Sequence, residues 1–552
     1  MEEIKRTIGQ VLRDIASRYP NKQAIKYTTL PYERTWKEFD EETDNIAKGL
    51  LALGLNKGDH LAIWATNVPQ WLSVLFATAK AGIILVTVNT NYKIFEMEYL
   101  LRQSDSKALV MIDGSRDNSY VNIINNLCPE IANSKDCVIN SDRFPYLKRI
   151  IHIGGNTPKG MIDYNDLIEL GVSISDEEYT KVTNSLDCYD IINMQYTSGT
   201  TGFPKGVMLS HYNILNNGKA IGDCMNFTVQ DKLCITVPLF HCFGLVLGVM
   251  TCITHDSSMV VIPEFNAGIV LSACETEKCT ALHGVPTMFI SELAHPDFKK
   301  FNLCLRTGIM AGSPCPITVM NQVVEEMGVS EITIVYGQTE ASPGCTQTHC
   351  DDSIDLRVET VGRAFPGVEI KIIDTETGEK LGIGQAGEFC ARGYNIMKGY
   401  YNMPEATALA IDEDKWLHTG DLATVDKDGY YKIVGRIKDM IIRGGENLYP
   451  KEIEEFLYNH PKIYDVQVIG LPSKKYGEEV CACIIVKPNE TLTVEEVKEY
   501  VRANMARHKT PSYVRFMESF PTTASGKIQK FILREEGIEI YGLQDAASIE
   551  TA

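Results

Sequence analysis

Tyr196-Thr-Ser-Gly-Thr-Thr-Gly-Phe-Pro-Lys-Gly206 is the stretch on which the reading of this chain turns. Glycines at 199, 202 and 206 permit backbone geometries closed to other residues and leave N–H groups open to an anion. The hydroxyls of Ser198, Thr200 and Thr201 add donors, and Lys205 adds charge. Such a loop suits a polyphosphate. It is not the G-x-x-x-x-G-K-[ST] loop, because Lys205 is followed by Gly206 rather than by a Mg²⁺-binding hydroxyl. Taken alone it would more often be a flexible Gly/Thr turn, so the decision falls on its surroundings.

Around the loop, apolar runs at 61–64, 83–88, 108–112, 260–262 and 332–335 alternate with amphipathic helical stretches at 43–53 and 317–327. This alternation predicts α/β layering with largely parallel sheets. At 370–373 and 387–391 the pattern changes to short strands with Gly-rich turns, a β-rich subdomain. From Lys451 the order is helix (451–459), strands (466–470, 480–486), helix (494–505), then a last strand and helix, a compact α+β unit of domain size. We place the boundary within 435–439, dividing the chain into 1–437 and 438–552.

A chain of 552 residues exceeds what one core serves, and 44% hydrophobic with 23% charged residues describes a packed globular protein. A net charge of −19 excludes a general nucleic-acid surface, so any phosphate site must be local. Residues 233–255 carry no charged side chain over a length near the ~20 residues of a membrane span. Pro238, His241, Gly244 and Gly248 interrupt it and no basic cluster flanks it, so a buried strand, turn and helix are expected. The first 21 residues have helical periodicity at Ile4, Ile8, Val11, Leu12 and Ile15 and no signal-peptide pattern, which predicts a cytoplasmic protein. The sixteen cysteines show no C-x-x-C pair with metal-site spacing and read as buried reduced thiols; Cys345, His349 and Cys350 read as packing.

Four further segments follow the loop in order: Tyr336-Gly-Gln-Thr-Glu340, Thr419-Gly-Asp421, Gly435-Arg436 and Ser525-Gly-Lys527. With the loop, they resemble the signature motifs of the adenylate-forming superfamily over nearly the whole chain. The resemblance implies a large N-terminal domain of two layered α/β subdomains plus a β-rich one, and a small mobile C-terminal domain. It implies ATP and CoA as co-substrates, Mg²⁺ as cofactor, and a carboxylic acid joined first to AMP and then to CoA. Thr197, Ser198, Gly199, Thr200, Thr201, Gly202, Phe203, Pro204 and Lys205 would bind the nucleotide's phosphates. Thr339 and Glu340 would sit at the α-phosphate, with Glu340 on Mg²⁺. Tyr336, Gly337, Gly312, Ser313 and Pro314 would flank the adenine, and Asp421 and Arg436 would hold the ribose. Lys527 would bridge carboxylate and α-phosphate, Lys438 would be the hinge, and Gly444-Gly445-Glu446-Asn447 would reach the CoA channel. Lys205, Thr339, Glu340 and Lys527 form the implied catalytic set.

For the acid, Gly337 matches a position where acetate-activating relatives carry Trp, so Gly leaves room for a longer chain and Gly337→Trp should exclude it. Phe240 and His241 in Pro238-Leu-Phe-His-Cys-Phe-Gly244, and His283, resemble pocket walls, and their apolar surroundings favour an aliphatic acid. The medium- to long-chain fatty-acyl-CoA synthetase branch is the nearest, with a carrier-protein-loading enzyme or an aryl-CoA ligase as alternatives and a homodimer left open. Two departures stand out: Lys415 where Gly commonly precedes Trp-Leu-His-Thr-Gly-Asp421, and Thr522 ahead of the catalytic turn.

Overall fold

The computed structural model describes residues 2–197, 204–312, 315, 317–443, 446–523 and 527–547. Two large sheets dominate. One runs in the spatial order Glu331–Thr333, Thr307–Met310, Ala281–Gly284, Lys232–Ile235, Ser258–Val261, Gln23–Tyr27, Glu33–Thr35, parallel except for its last pair. The other runs Gly399–Tyr400, Lys205–Ser210, Ile191–Thr197, Ile84–Thr87, His60–Trp64, Ala108–Ile112, Arg149–Ile153, Ile162–Asp163, and is antiparallel only at the two pairs around Lys205–Ser210. Parallel strands are covered on both faces, which is why His60–Trp64 is buried at every position and reads as an unbroken apolar run.

One apolar cluster joins these sheets through the helices between them. Pro69–Ala81 is buried along almost its whole length; Pro69 opens it, and Gly82 closes it at φ +72°. Trp36–Ala52 begins seven residues before the periodic stretch read from the sequence, because Thr35 and Glu38 form a capping box ahead of the apolar pattern. The uncharged span resolves into the strand Lys232–Ile235, the π-helix Phe243–Met250 and the short helix Thr251–Thr254, all deep in the core. No described helix is long and apolar enough to cross a membrane.

The β-rich part is a four-stranded antiparallel sheet, Val368–Ile373, Gly387–Gly393, Leu417–Val425 and Tyr431–Arg436. Beyond it, Ile463–Ser473 and Gly477–Val486 form a long hairpin with Tyr513–Phe516 alongside and the helices Pro450–Tyr458, Val494–Asn504 and Lys530–Ile540 around it. This unit has apolar clusters of its own, as a small α+β domain requires.

Candidate active site

The strands on either side of the loop that opened the sequence reading, Ile191–Thr197 and Lys205–Ser210, pair antiparallel, with Thr197 opposite Lys205. Ser198, Gly199, Thr200, Thr201, Gly202 and Phe203 lie outside the described residues. The rim is anchored from the helix Ile94–Gln103: Tyr99 donates to the Pro204 carbonyl at 3.0 Å, and the Tyr196 hydroxyl to Gln103 Oε1. Lys205 Nζ stands 4.8 Å from the centre of the Tyr400 ring, a cation–π contact, and the Tyr400 hydroxyl donates to Glu340 Oε1 at 2.8 Å. Tyr400 thus links Lys205 to the second motif, which lies far away in sequence. Burial and Glu340 push the Tyr400 phenol up, so it remains a donor.

Tyr336-Gly-Gln-Thr-Glu340 leaves the strand Val335–Gly337 into a single 3₁₀ turn, Thr339–Ala341. Thr339 is buried, and Glu340 is half-buried and makes no ion pair within 4 Å among the described residues. The chain that follows is clamped. Asn217, buried in the helix His211–Cys224, donates to the Gly344 carbonyl and accepts its N–H, both at 2.9 Å. The Ser342 hydroxyl donates to the Asn395 carbonyl at 2.6 Å. These bonds satisfy buried backbone groups and hold the Glu340 turn against a rigid helix.

Asp421 is the centre of a second group. It accepts from the Tyr336 hydroxyl at 2.8 Å and pairs with Arg436 Nε at 2.9 Å across the register of their two strands. Burial and Asp421 raise the Tyr336 phenol further from ionisation, and Asp421 holds the Arg436 guanidinium charged. The ladder between Gly387–Gly393 and Leu417–Val425 shifts register here, and Glu388 spans the break by accepting Gly420 N–H at 3.1 Å. His418 in turn meets Glu388 Oε2 at 2.9 Å. Lys415 adopts φ +67°, the left-handed conformation glycine takes freely, which explains why that position favours Gly. Thr522 forms an isolated bridge with Ile528 across the turn that carries Lys527.

Lys527 reaches this cleft from the small unit. Burial and Arg436 press its pKa down, while Asp421, Glu340 and Cys242 oppose the shift. Its side chain is nonetheless exposed. His241, at the other wall, is held neutral: burial and then the Lys527 charge push it down to about 3. Phe240 is buried beside it. Lys438 lies in the turn Ile437–Asp439 directly after Arg436, exposed at the junction. Across that junction Lys451 donates to the Ile433 carbonyl at 2.9 Å.

Two expectations change, and others fall outside the described residues. His283 is no open pocket wall: its Nε2 donates to the Leu247 carbonyl at 3.0 Å and its Nδ1 accepts Ile309 N–H at 3.2 Å, so both nitrogens are spent on the core. Ser313, Pro314, Gly444 and Gly445 lie outside the described residues; Gly312, beside the first two, is exposed at φ +91°. Gly337 is exposed, yet a Cβ there would lie 1.8 Å from the Pro343 carbonyl oxygen. Glycine is therefore demanded by a backbone approach, whatever room it also leaves. Gly337→Ala is expected to lower stability by about 1–3 kcal/mol, as overpacking does, read as a lower Tm; an unchanged Tm would contradict the clash. Gly337→Trp must pass the same obstacle, so it is a poor probe of chain length.

Tyr400, Glu388, Asn217 and Tyr99 were not found from the sequence. Each acts through a partner distant in the chain, and none belongs to a spaced motif.

A model of the AMP-binding enzyme family matches residues 12–401, and one of the AMP-binding enzyme C-terminal domain matches residues 452–527. The chain is 52% identical over 546 residues to the candidate acyl-CoA synthetase YngI of Bacillus subtilis (strain 168), covering 99% of this chain and 100% of that one. It is 39% identical over 538 residues to the mitochondrial medium-chain acyl-CoA ligase ACSF2 of Homo sapiens, covering 96% and 87%. Among solved structures, ATP-bound MatB from Rhodopseudomonas palustris aligns with a TM-score of 0.82 at 28% identity, over 97% of this chain and 99% of that one.

Proposed function

The chain belongs to the AMP-binding enzyme family, and from that premise we propose that it is an ATP-dependent acid–CoA ligase acting on medium- to long-chain aliphatic acids. The observation that carries this reading is the convergence on one cleft of Lys527, the Asp421–Arg436 pair, Glu340 and a neutral His241. The similarity to proteins named as acyl-CoA synthetase and medium-chain acyl-CoA ligase supports the acid class.

In the first half-reaction a carboxylate oxygen attacks the α-phosphorus of ATP and pyrophosphate leaves. Two anions must meet, so the barrier falls where positive charge and donors are already in place. Lys205 and the hairpin turn take the leaving phosphates. Asp421 accepts from the ribose hydroxyls and Arg436 donates to the sugar, while the Tyr336 ring flanks the base. Glu340 keeps a carboxylate with no competing ion pair among the described residues, a donor set that fits Mg²⁺. That ion, when bound, neutralises phosphate charge. Lys527 touches both the acid carboxylate and the α-phosphate. His241, uncharged, lines the acyl end without trapping the carboxylate in an ion pair.

In the second half-reaction the CoA thiol attacks the acyl carbonyl and AMP leaves. We place the division at 437/438, so that rotation about Lys438 withdraws Lys527 and turns the segment with Gly444 and Gly445 toward the thiol; a site split between two domains can be dismantled by such a motion.

Purified protein with ATP, Mg²⁺, CoA and acids of graded length is expected to release AMP and pyrophosphate and to form acyl-CoA, with the highest kcat/KM for medium or long aliphatic acids. Release of ADP would exclude the mechanism. AMP release without a CoA thioester would point to a carrier-protein acceptor instead.

A further inference from the structure

Away from the cleft, the Sγ atoms of Cys234, Cys274 and Cys279 all lie within 4.8 Å of one another, and none of the three residues is exposed. They come from three elements. Cys234 is in the strand Lys232–Ile235, Cys274 in the helix Ala267–Thr276, and Cys279 in the turn leading to the strand Ala281–Gly284. The turn is held by Cys279 N–H donating to the Cys274 carbonyl at 3.0 Å. No sequence motif announces this group, because only folding brings Cys234 to the other two.

A second feature stands against the same cluster. Glu292 is 1% exposed, and its Oε2 finds no hydrogen-bond partner. It lies three residues after Phe289 in the helix Pro286–Leu293, on the side where Phe289 packs into the apolar cluster that contains all three cysteines. Its carboxylate oxygens do not lie within 4.8 Å of all three sulfurs, so the side chain must turn toward them to reach an ion they hold. Single cysteines are common in cores, but packing alone explains neither the meeting of three sulfurs nor a buried carboxyl oxygen left without a donor, an arrangement that is strongly disfavoured unless something satisfies it.

We propose that Cys234, Cys274 and Cys279, with the Glu292 side chain turned in as fourth donor, form a buried structural site for a zinc-type divalent cation. Three soft sulfurs and one carboxylate oxygen make a tetrahedral set suited to such an ion. An ion ~2.3 Å from each sulfur separates the sulfurs by about 3.8 Å, within the spacing observed. On binding, each thiol and the carboxyl release a proton to solvent and form one bond to the metal, with no change of oxidation state. Three thiolates, a carboxylate and a divalent cation leave negative charge, and Lys232, which also pairs with Glu277 at 3.8 Å, stands near enough to offset part of it. The site would tie the strand that feeds the Phe240–His241 segment to its neighbouring helix, stiffening the wall behind the acyl end of the cleft.

Because the sulfurs are closed to solvent, the ion must enter as the chain folds. The test is therefore to refold the full chain under reducing conditions with Co²⁺ as a spectroscopic probe, then desalt it. Expected are one retained Co²⁺ per chain, intense thiolate-to-cobalt charge-transfer bands, the strong visible bands of a tetrahedral ion, and a higher Tm than the metal-free chain. Cys274→Ala and Cys279→Ala should each abolish the bands. Should those variants fail to fold, X-ray absorption on the unaltered protein decides: three sulfurs and one light atom support the site. No retained ion, six oxygen or nitrogen ligands, or a mass two hydrogens lower from a disulfide among these cysteines would overturn it.

Discussion

Lys527→Ala is expected to reduce acyl-adenylate formation at least about 10²-fold, the loss typical of removing one preorganised electrostatic contact at a transition state, while thioester formation from supplied acyl-AMP stays within a few-fold of wild type. The asymmetry follows from where the charge is placed. Lys527 enters the cleft from a turn of the small unit, bracketed by Thr523 N–H donating to its carbonyl at 2.8 Å and its own N–H donating to Thr523 Oγ1 at 3.1 Å. At about 4 Å and an effective dielectric of 20, two like charges repel by roughly 4 kcal/mol, a cost that falls on the step in which carboxylate meets α-phosphate. Once the mixed anhydride exists, that repulsion is gone. Isolated half-reactions check the point, and an equal loss in both would contradict it. A pH profile provides a second measurement. In the free protein, burial and Arg436 depress the Lys527 pKa below its ordinary value, and bound anions favour the charged form. The basic limb of kcat/KM, which reports free enzyme, should therefore fall below the usual lysine range, and the basic limb of kcat should lie at higher pH.

How much of this was legible beforehand depends on whether a residue's role is local. Lys205, Glu340, Asp421, Arg436 and Lys527 each sit in a short segment that resembles a motif of the adenylate-forming superfamily, and that resemblance carries the signal, while the layered strands could be read because burial on both faces leaves an unbroken apolar run. Tyr400 could not be found: an aromatic in a turn has many uses, and only the fold brings its hydroxyl to Glu340 and its ring to Lys205. Glu388 was hidden because its purpose is to mend a register shift between strands that the chain alone does not disclose. Gly337 was legible as an unusual residue and misread as to cause, since the Pro343 carbonyl that excludes a Cβ arrives from the following loop. His283 shows the opposite case. A histidine among apolar residues invites a functional role, and the backbone of two neighbouring elements had already consumed both of its nitrogens.

Glu340→Gln should lower kcat by about 10²–10³-fold, as removing a charge-stabilising contact does, and raise the Mg²⁺ concentration needed for half-maximal rate. Tyr400→Phe should cost about tenfold, the low end for a single hydrogen bond to a charged group. The contrast separates charge from aim. Glutamine keeps the shape of residue 340 and can still accept from Tyr400, but it removes the negative charge that a hard divalent cation prefers. Phenylalanine keeps the ring under Lys205 and removes only the hydroxyl that orients Glu340 Oε1. If Tyr400 acts solely by orienting that carboxylate, the double variant should be little worse than Glu340→Gln alone, because residues sharing one contact are non-additive. Fully additive losses would mean that the Tyr400 hydroxyl acts on the reaction independently of Glu340. A Mg²⁺ requirement untouched by Glu340→Gln would remove the carboxylate from the metal altogether, leaving the 3₁₀ turn clamped by Asn217 as scaffolding for Thr339 only.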